Sequence, residues 1–338
     1  MTSFLEKSVT QSWYSRSGWT RLLAPLAYLY KLGVNFQRQQ YLHGKKIAWR
    51  APIPVVVVGN ITVGGTGKTP IMLSLIELLQ AAGFRPGVIS RGYGGISSEY
   101  PLNVTEKSDP RIGGDEPVMI ARRTGCPVVV DPNRVRAAQA LLRWHDIDII
   151  LSDDGLQHWA LARDIELVII DGQRGLGNGL LLPAGPLRES PARLDNVDFV
   201  LVNGALAEPL PVASDSMQLV PTALINLKSG DMLLSPFTGF SKQLHAVAAI
   251  GNPARFFNVL AQFGFSIYSH AFSDHHRFLP NELSFSNDLP IVMTEKDAVK
   301  CVEFATSNMW YLRIDARLPN VFGQNFLERV KQIAKRSS

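Results

Sequence analysis

The sequence predicts an α/β protein in which a doubly wound, mostly parallel sheet is followed by a second, smaller α/β domain. Three observations carry that expectation. Short apolar runs without alternation recur at Val55 to Val58, Gly87 to Ser90, Pro127 to Val130, Ile147 to Leu151, Glu166 to Ile170 and Val197 to Val202. A strand covered on both faces requires such a run, since neither face can be polar. Helical patterns separate several of these strands, notably Pro70 to Ala82 and Asn133 to Trp144, and that alternation makes the pairing parallel. A second set follows, with strands at Leu244 to Ile250, Pro290 to Thr294 and Trp310 to Ile314 and helices near Pro253 to Phe263 and Phe326 to Ala334.

At 338 residues the chain is longer than one core usually grows, so two domains are expected. The boundaries read as a helical N-terminal segment at 1–45, a core at 46–205, a linker or hairpin at 206–240 and a smaller α/β domain at 241–338. Pro209, Pro211, Pro221 and Pro236 break the third stretch into short extended pieces. In a doubly wound sheet, ligands sit at the C-terminal ends of the strands.

Composition narrows the function classes. Hydrophobic residues make up 46% and charged residues 19%, an ordinary globular balance, and no run is apolar for the roughly 18 residues that a membrane span needs. The N-terminus lacks a short apolar core followed by a cleavage site, so export is not expected. Cys126 and Cys301 show no metal-ligand spacing and imply a reducing compartment without disulfides. The net charge of +5 is uneven: residues 1–50 hold eight basic side chains and one acid, so that segment is +7 and the remainder −2. Nucleic-acid binding would spread positive charge over a broad face. The expected partner is instead an anion met by the N-terminus, and no feature implies a protein partner.

Within that segment Trp19, Leu22, Leu23, Leu26, Leu29 and Tyr30 fall on one helical face, interleaved with basic residues. Such a helix can lie on an anionic membrane or pack on the protein's own core. Pro25 kinks or restarts it.

The strongest local signal follows the strand at Val55 to Val58. Gly59-Asn60-Ile61-Thr62-Val63-Gly64-Gly65-Thr66-Gly67-Lys68-Thr69-Pro70 reads as strand, glycine-rich turn and helix start. This is a P-loop: backbone N–H groups from Thr62 through Gly67 converge on phosphate oxygens, Lys68 reaches the outer phosphates, and Thr69 offers a hydroxyl to Mg2+. The fold class thus sharpens to P-loop NTPase-like, and ATP with Mg2+ to the expected cofactors. Thr62 stands where the usual pattern has glycine, with Gly64 and Gly65 supplying the flexibility. Partitioning-type switch ATPases, membrane-associated and the alternative reading, carry a lysine before the paired glycines; here that position is Val63.

Other candidates lie at strand ends. Asp153 and Asp154, after Ile147 to Leu151, suit Mg2+ binding, directly or through water. Asp115, before a helical pattern, is either a helix N-cap or a base that prepares an acceptor hydroxyl. His275 and His276, after Asp274, are the adjacent histidines that could orient such an acid. Arg91 and Tyr93, in Ser90-Arg91-Gly92-Tyr93-Gly94-Gly95, could meet an anionic or sugar substrate.

These motifs, joined by Gly114-Asp115-Glu116-Pro117, Asp153-Asp154-Gly155-Leu156-Gln157-His158, Pro183-Ala184-Gly185-Pro186-Leu187-Arg188-Glu189, Asp274-His275-His276 and Thr294-Glu295-Lys296-Asp297, resemble the tetraacyldisaccharide 4'-kinase (lipid A 4'-kinase) family from about residue 15 to about residue 300. The resemblance implies transfer of the ATP γ-phosphate to the 4'-hydroxyl of a tetraacylated glucosamine disaccharide 1-phosphate, giving lipid IVA at the cytoplasmic face of the inner membrane. It implies a catalytic pair of Asp115 and His275, roles for Asp153 and Asp154 in Mg2+ and phosphate positioning, and charge neutralisation by Arg188 and Arg134. It also implies the Thr62 form of the loop. An acylated substrate that stays in the bilayer would account for the basic, amphipathic N-terminus.

Overall fold

A computed structural model describes residues 4–15 and 17–337. Of the basic residues counted above, Arg16 and the Lys7 side chain lie outside that description.

Among the described residues, thirteen strands form one sheet. They are β1 Val55–Gly59, β2 Pro86–Ser90, β3 Leu102–Val104, β4 Val128–Val130, β5 Ile149–Asp153, β6 Ile165–Asp171, β7 Phe199–Asn203, β8 Asp215–Asn226, β9 Met232–Leu234, β10 Gln243–Ala248, β11 Ser266–Ala271, β12 Ile291–Thr294 and β13 Met309–Arg317. The helices are α1 Phe4–Trp13, α2 Ala24–Leu42, α3 Lys68–Ala81, α4 Pro110–Gly113, α5 Asp115–Thr124, α6 Arg134–Trp144, α7 Pro253–Gln262, α8 Glu295–Ala298 and α9 Asn320–Ser337. The spatial order is β11-β10-β12-β13-β8-β7-β6-β1-β5-β2-β4-β3, with β9 on β8.

β8, β7, β6, β1, β5, β2 and β4 run parallel, and the short β3 closes that edge antiparallel. Alternate residues of β1 feed two cores. Val56 and Val58 join Ile71, Leu75 and Leu79 of α3 and Val118 and Ile120 of α5 on one face. Val55 and Val57 join Ala137, Ala138 and Leu141 of α6 and Ala27 of α2 on the other. The unbroken Val and Ile runs reflect that double coverage, each side chain contributing about 1.5–3 kcal/mol on burial.

Residues 206–240, expected as a linker or hairpin, hold a hairpin of β8 and β9, in which β8 is the longest strand among the described residues. β8 begins parallel to β7 at Asp215 to Met217, continues antiparallel to β13, and folds back into β9. Pro221 sits where the register with β13 shifts, so its missing N–H interrupts an already broken ladder. Its presence hides the strand from pattern reading. Beyond β8, β13, β12, β10 and β11 are parallel to one another and flanked by α7 and α8.

α9 returns to the first half of the chain. Phe322, Phe326, Val330 and Ile333 are buried in the core of α3 and α5, and Phe322 and Phe326 stack edge-on against Phe199 of β7. Cys126 and Cys301 are buried free thiols, pushed up to about 11 and about 12 by that burial.

At the N-terminus, Pro25 restarts the helix: a 3-10 turn at Trp19–Leu23 gives way to α2 with the proline in its first turn. The predicted apolar face is divided. Leu23, Ala27 and Tyr30 pack inward, while Leu22, Leu26 and Leu29 face outward.

Removing the ring of Phe326 leaves a cavity beneath α9 that neighbouring side chains only partly fill. Phe326→Ala is expected to lower stability by about 3–5 kcal/mol in urea unfolding followed by circular dichroism. A loss below about 1 kcal/mol would mean that α9 is peripheral to the core.

Candidate active site

The loop between β1 and α3 is fastened on three sides. Gly64 and Gly67 have φ values of 106° and 91°, a region closed to most side chains, which lets the loop curl over the start of α3. Val63 N–H donates to the Pro186 carbonyl (2.8 Å) and Arg188 N–H to the Ile61 carbonyl (2.7 Å). Asn203, at the end of β7, donates from Nδ2 to the Thr66 carbonyl (3.2 Å). A Cβ on Gly67 would lie 3.0 Å from that Nδ2 and 3.0 Å from Leu219 Cδ1, so a side chain there would press on both in addition to straining the backbone. Thr62 is buried where a bridge to Leu187 sits, which explains a side chain at this point of the loop. The Thr66 hydroxyl is buried without a partner among the described residues.

Lys68 opens α3 with its ammonium 3.4 Å from Asn60 Oδ1 and 3.5 Å from Asp154 Oδ1. Thr69 follows in the same first turn, half-buried. Arg188 donates to both Asp154 oxygens, at 3.3 and 3.1 Å. Asp154 occupies the left-handed region at φ 48°, which turns its carboxylate back over the loop.

Asp153 and Asp154 are adjacent yet differently set. Burial, reinforced by the charge of Glu116, lifts Asp153 to about 6 despite Lys68, and Ser90 Oγ donates to its Oδ2 (3.2 Å). Burial also pushes Asp154 up, but Lys68 and Arg188 outweigh it and hold the group below the usual carboxylate range. Arg134, expected near phosphates, is buried behind this turn: its guanidinium donates to the Asp131 and Asp153 carbonyls (3.0 and 3.1 Å), and burial lowers it to about 10. Among the described residues no cluster of three or more His, Cys, Asp or Glu could hold a metal. The donor set of Thr69, Asp153 and Asp154 fits an oxygen-seeking ion that takes its other ligands from phosphate and water.

The second group lies along the same strand ends, beyond β2. Asp115 is the first residue of α5, whose N-cap is Gly114; the capping alternative for Asp115 is not realised, and its buried carboxylate meets His275. His275 Nδ1 is 2.9 Å from Asp115 Oδ2. The two histidines go separate ways, with His276 Nε2 directed to Glu282 (3.0 Å) and its ring stacked on Phe272. His275 also sits in the left-handed region, at φ 59°. Tyr93 meets its ring edge-on at 5.2 Å, and a Cβ on Gly94 would fall 2.6 Å from its Nδ1.

β2 joins the two groups. Ser90 at its end bonds Asp153, and the turn that follows delivers Tyr93 and Gly94 to His275. Arg91, exposed on that turn, lies close enough for its charge to act on Arg134 and His158. A cavity of about 1220 Å³ opens beside Asp115 and His275, bordered by Arg111, Arg277 and Lys300.

Sequence reading missed Asn60 and Asn203 at the loop and Lys296 and Lys300 beside Asp115. Asn203 lies at the C-terminal end of a parallel strand, where ligand-facing groups collect.

Fold and loop define a P-loop protein of the α/β class, with an acid–histidine pair facing the cradle's neighbouring strand ends. The Tetraacyldisaccharide-1-P 4'-kinase family profile matches residues 19–331, and the chain belongs to that family. The tetraacyldisaccharide 4'-kinase of Pseudomonas aeruginosa is 49% identical over 334 residues, which cover 99% of this chain and all of the relative. That of Hahella chejuensis is 48% identical over 333 residues, 96% of this chain and 97% of the relative. The crystal structure of LpxK from Aquifex aeolicus in complex with ATP matches with a TM-score of 0.79 at 24% identity, covering 93% of this chain and 99% of that chain, a likeness of fold. The partitioning-ATPase alternative is not favoured by this membership.

His158 provides a pH test of the loop after β5. Burial, with help from Arg134, Arg91 and Arg163, lowers it from 6.5 to about 4, so the unfolded chain binds a proton that the folded one refuses. Stability is therefore expected to fall as pH drops from about 6.5 to about 4, and to level off below. His158→Asn should lose less over that window in unfolding titrations.

Proposed function

We propose that the chain transfers the ATP γ-phosphate to the 4'-hydroxyl of a tetraacylated disaccharide 1-phosphate in lipid A biosynthesis, with Asp115 as the base. Family membership supports the reaction. The observation that carries the residue assignment is the 2.9 Å contact between Asp115 and His275 on the strand-end side that also bears the P-loop.

The acceptor hydroxyl is a poor nucleophile at neutral pH, so a carboxylate near it is needed to accept its proton as the oxygen attacks phosphorus. Asp115 takes that proton, while His275 orients it. The bond from the γ-phosphorus to the bridging oxygen breaks as ADP leaves. Lys68 and Arg188, both gathered over Asp154, offset charge on the transferred group. The loop amides from Gly64 to Gly67 would hold the phosphates, whereas the expected Val63 amide is already engaged by the Pro186 carbonyl and fastens the loop instead; Thr69 with Asp153 or Asp154 would hold Mg2+, and Arg134 stiffens the turn from behind. Mg2+ bound there supplies further charge neutralisation on the outer phosphates. Arg91 and Tyr93 border the acceptor side and suit contact with sugar or phosphate.

No helix among the described residues is long and apolar enough to cross a membrane. We infer instead that the enzyme meets its lipid substrate peripherally, at the inner surface of the cytoplasmic membrane. Leu22, Leu26 and Leu29, with Phe36 two turns further along α2, form an outward apolar row beside Arg21 and Lys31. An apolar row flanked by cations matches an interfacial helix. We also treat 46–205 and 241–338 as two lobes meeting at β8.

Asp115→Asn is expected to cut kcat by roughly 100- to 10,000-fold with ATP affinity little changed, and Lys68→Ala to lose turnover as well. The readout is mass spectrometry of lipid extracts incubated with ATP, scored for one added phosphate on the disaccharide. Loss of ATP binding in Asp115→Asn would reject the base assignment. For the membrane contact, replacing Leu22, Leu26 and Leu29 by Glu should reduce co-sedimentation with anionic vesicles by about tenfold or more. An unchanged bound fraction would exclude this row as the anchor.

A further inference from the structure

Lys296 reaches His275 from the side opposite Asp115. Its ammonium lies 3.4 Å from His275 Nε2, 3.3 Å from Glu116 Oε1 and 3.5 Å from Asp274 Oδ1. The helix that carries it is fixed. Thr294 caps α8 by accepting from Asp297 N–H (3.1 Å), and the fully buried Asp297 carboxylate accepts from Ala249 N–H (2.9 Å) and from the Thr294 hydroxyl (2.6 Å). The Lys296 side chain is only 16% exposed. Burial pushes its ammonium down, but Glu116, Asp274 and Asp115 outweigh that effect and hold it above the usual lysine value. Lys296 is therefore a cation.

An ammonium group has donors and no acceptor. A ring nitrogen turned towards it must present a lone pair, so Nε2 is the bare nitrogen and the ring proton sits on Nδ1. Nδ1 is the atom facing Asp115 Oδ2 at 2.9 Å. The other charged groups around the ring fit this assignment. Asp274 Oδ1 is 3.7 Å from Nε2, beyond a hydrogen bond; it accepts from the His275 backbone N–H (3.0 Å) and faces Lys296 (3.5 Å). Lys300 lies 3.9 Å from Asp115 Oδ2, and Tyr93 closes the remaining face of the ring.

We propose that Lys296 is a positioning residue that locks His275 in the tautomer with its proton on Nδ1. Asp115 Oδ2 then always receives a donor, and its other oxygen remains to take the acceptor's proton. This rests on the reading of Asp115 as the base. Without the ammonium, Nε2 faces the Asp274 carboxylate, which favours a proton there, and the donor to Asp115 is lost.

The test uses full-length protein labelled with 15N-histidine, with the His275 signals identified by their loss in His275→Gln. Wild type should show a protonated Nδ1 and a bare Nε2. Lys296→Met should shift the ring towards a protonated Nε2 and lower kcat by roughly ten- to a hundredfold, with KM for ATP unchanged, less than the roughly 100- to 10,000-fold that losing the general base itself costs. Lys296→Arg, which keeps a cationic donor, should restore the tautomer and most of the rate. A protonated Nε2 in the wild type, measured without any variant, would overturn the proposal. So would an unchanged tautomer in folded Lys296→Met. Failure of the base assignment has a different mark, undiminished turnover in Asp115→Asn with the wild-type tautomer intact.

Discussion

The change of partner along β8 is the constraint on which the site's geometry depends. Its first residues extend the parallel sheet that carries the P-loop, and its later ones pair antiparallel with β13. Asp115, on α5, packs on the first half of this continuous sheet and His275 lies in the turn after β11 of the second, so their 2.9 Å contact joins elements from either side of β8. Arg123, at the end of α5, reinforces the junction by pairing with Glu295 of α8 and Asp315 of β13. Such a buried, multiply paired guanidinium fixes position more than it adds stability, because desolvation offsets much of its attraction.

The two halves of the site use charge in different ways. Around the P-loop, cations converge on one carboxylate, Asp154, and leave its neighbour Asp153 buried with a raised proton affinity. A difference in surroundings thus makes two adjacent, chemically identical side chains unlike. Around His275, Asp115 faces one ring nitrogen and Lys296 and Asp274 the other, with Lys300 behind Asp115, so charge bears on where one proton sits.

Much of this was legible in the sequence because local rules dominate there. The Val and Ile runs of β1, β5 and β6 are buried on both faces, and the glycine-rich loop with Lys68 and Thr69 has few uses besides phosphate binding. What escaped depended on tertiary context. β8 was hidden by Pro221, which is tolerated only because the β13 register slips there. The edge strand β3, Leu102–Val104, has Asn103 in its middle and offers no apolar run, unlike the equally short all-valine β4. Lys296 and Asn203 are polar residues whose importance comes from what lies across from them. The N-terminal face showed its apolar period but not its division into an inward and an outward row, since both rows share that period.

α9 carries a consequence for how the protein is made. The helix that covers the nucleotide-binding half is translated more than a hundred residues after β7, on which its phenylalanines rest. As the polypeptide leaves the ribosome, the face bearing α3 and α5 waits uncovered while the later strands emerge. Domains normally complete their folding in order of synthesis. Here the earlier half is finished last, and its apolar face is the surface a chaperone would meet in the interval.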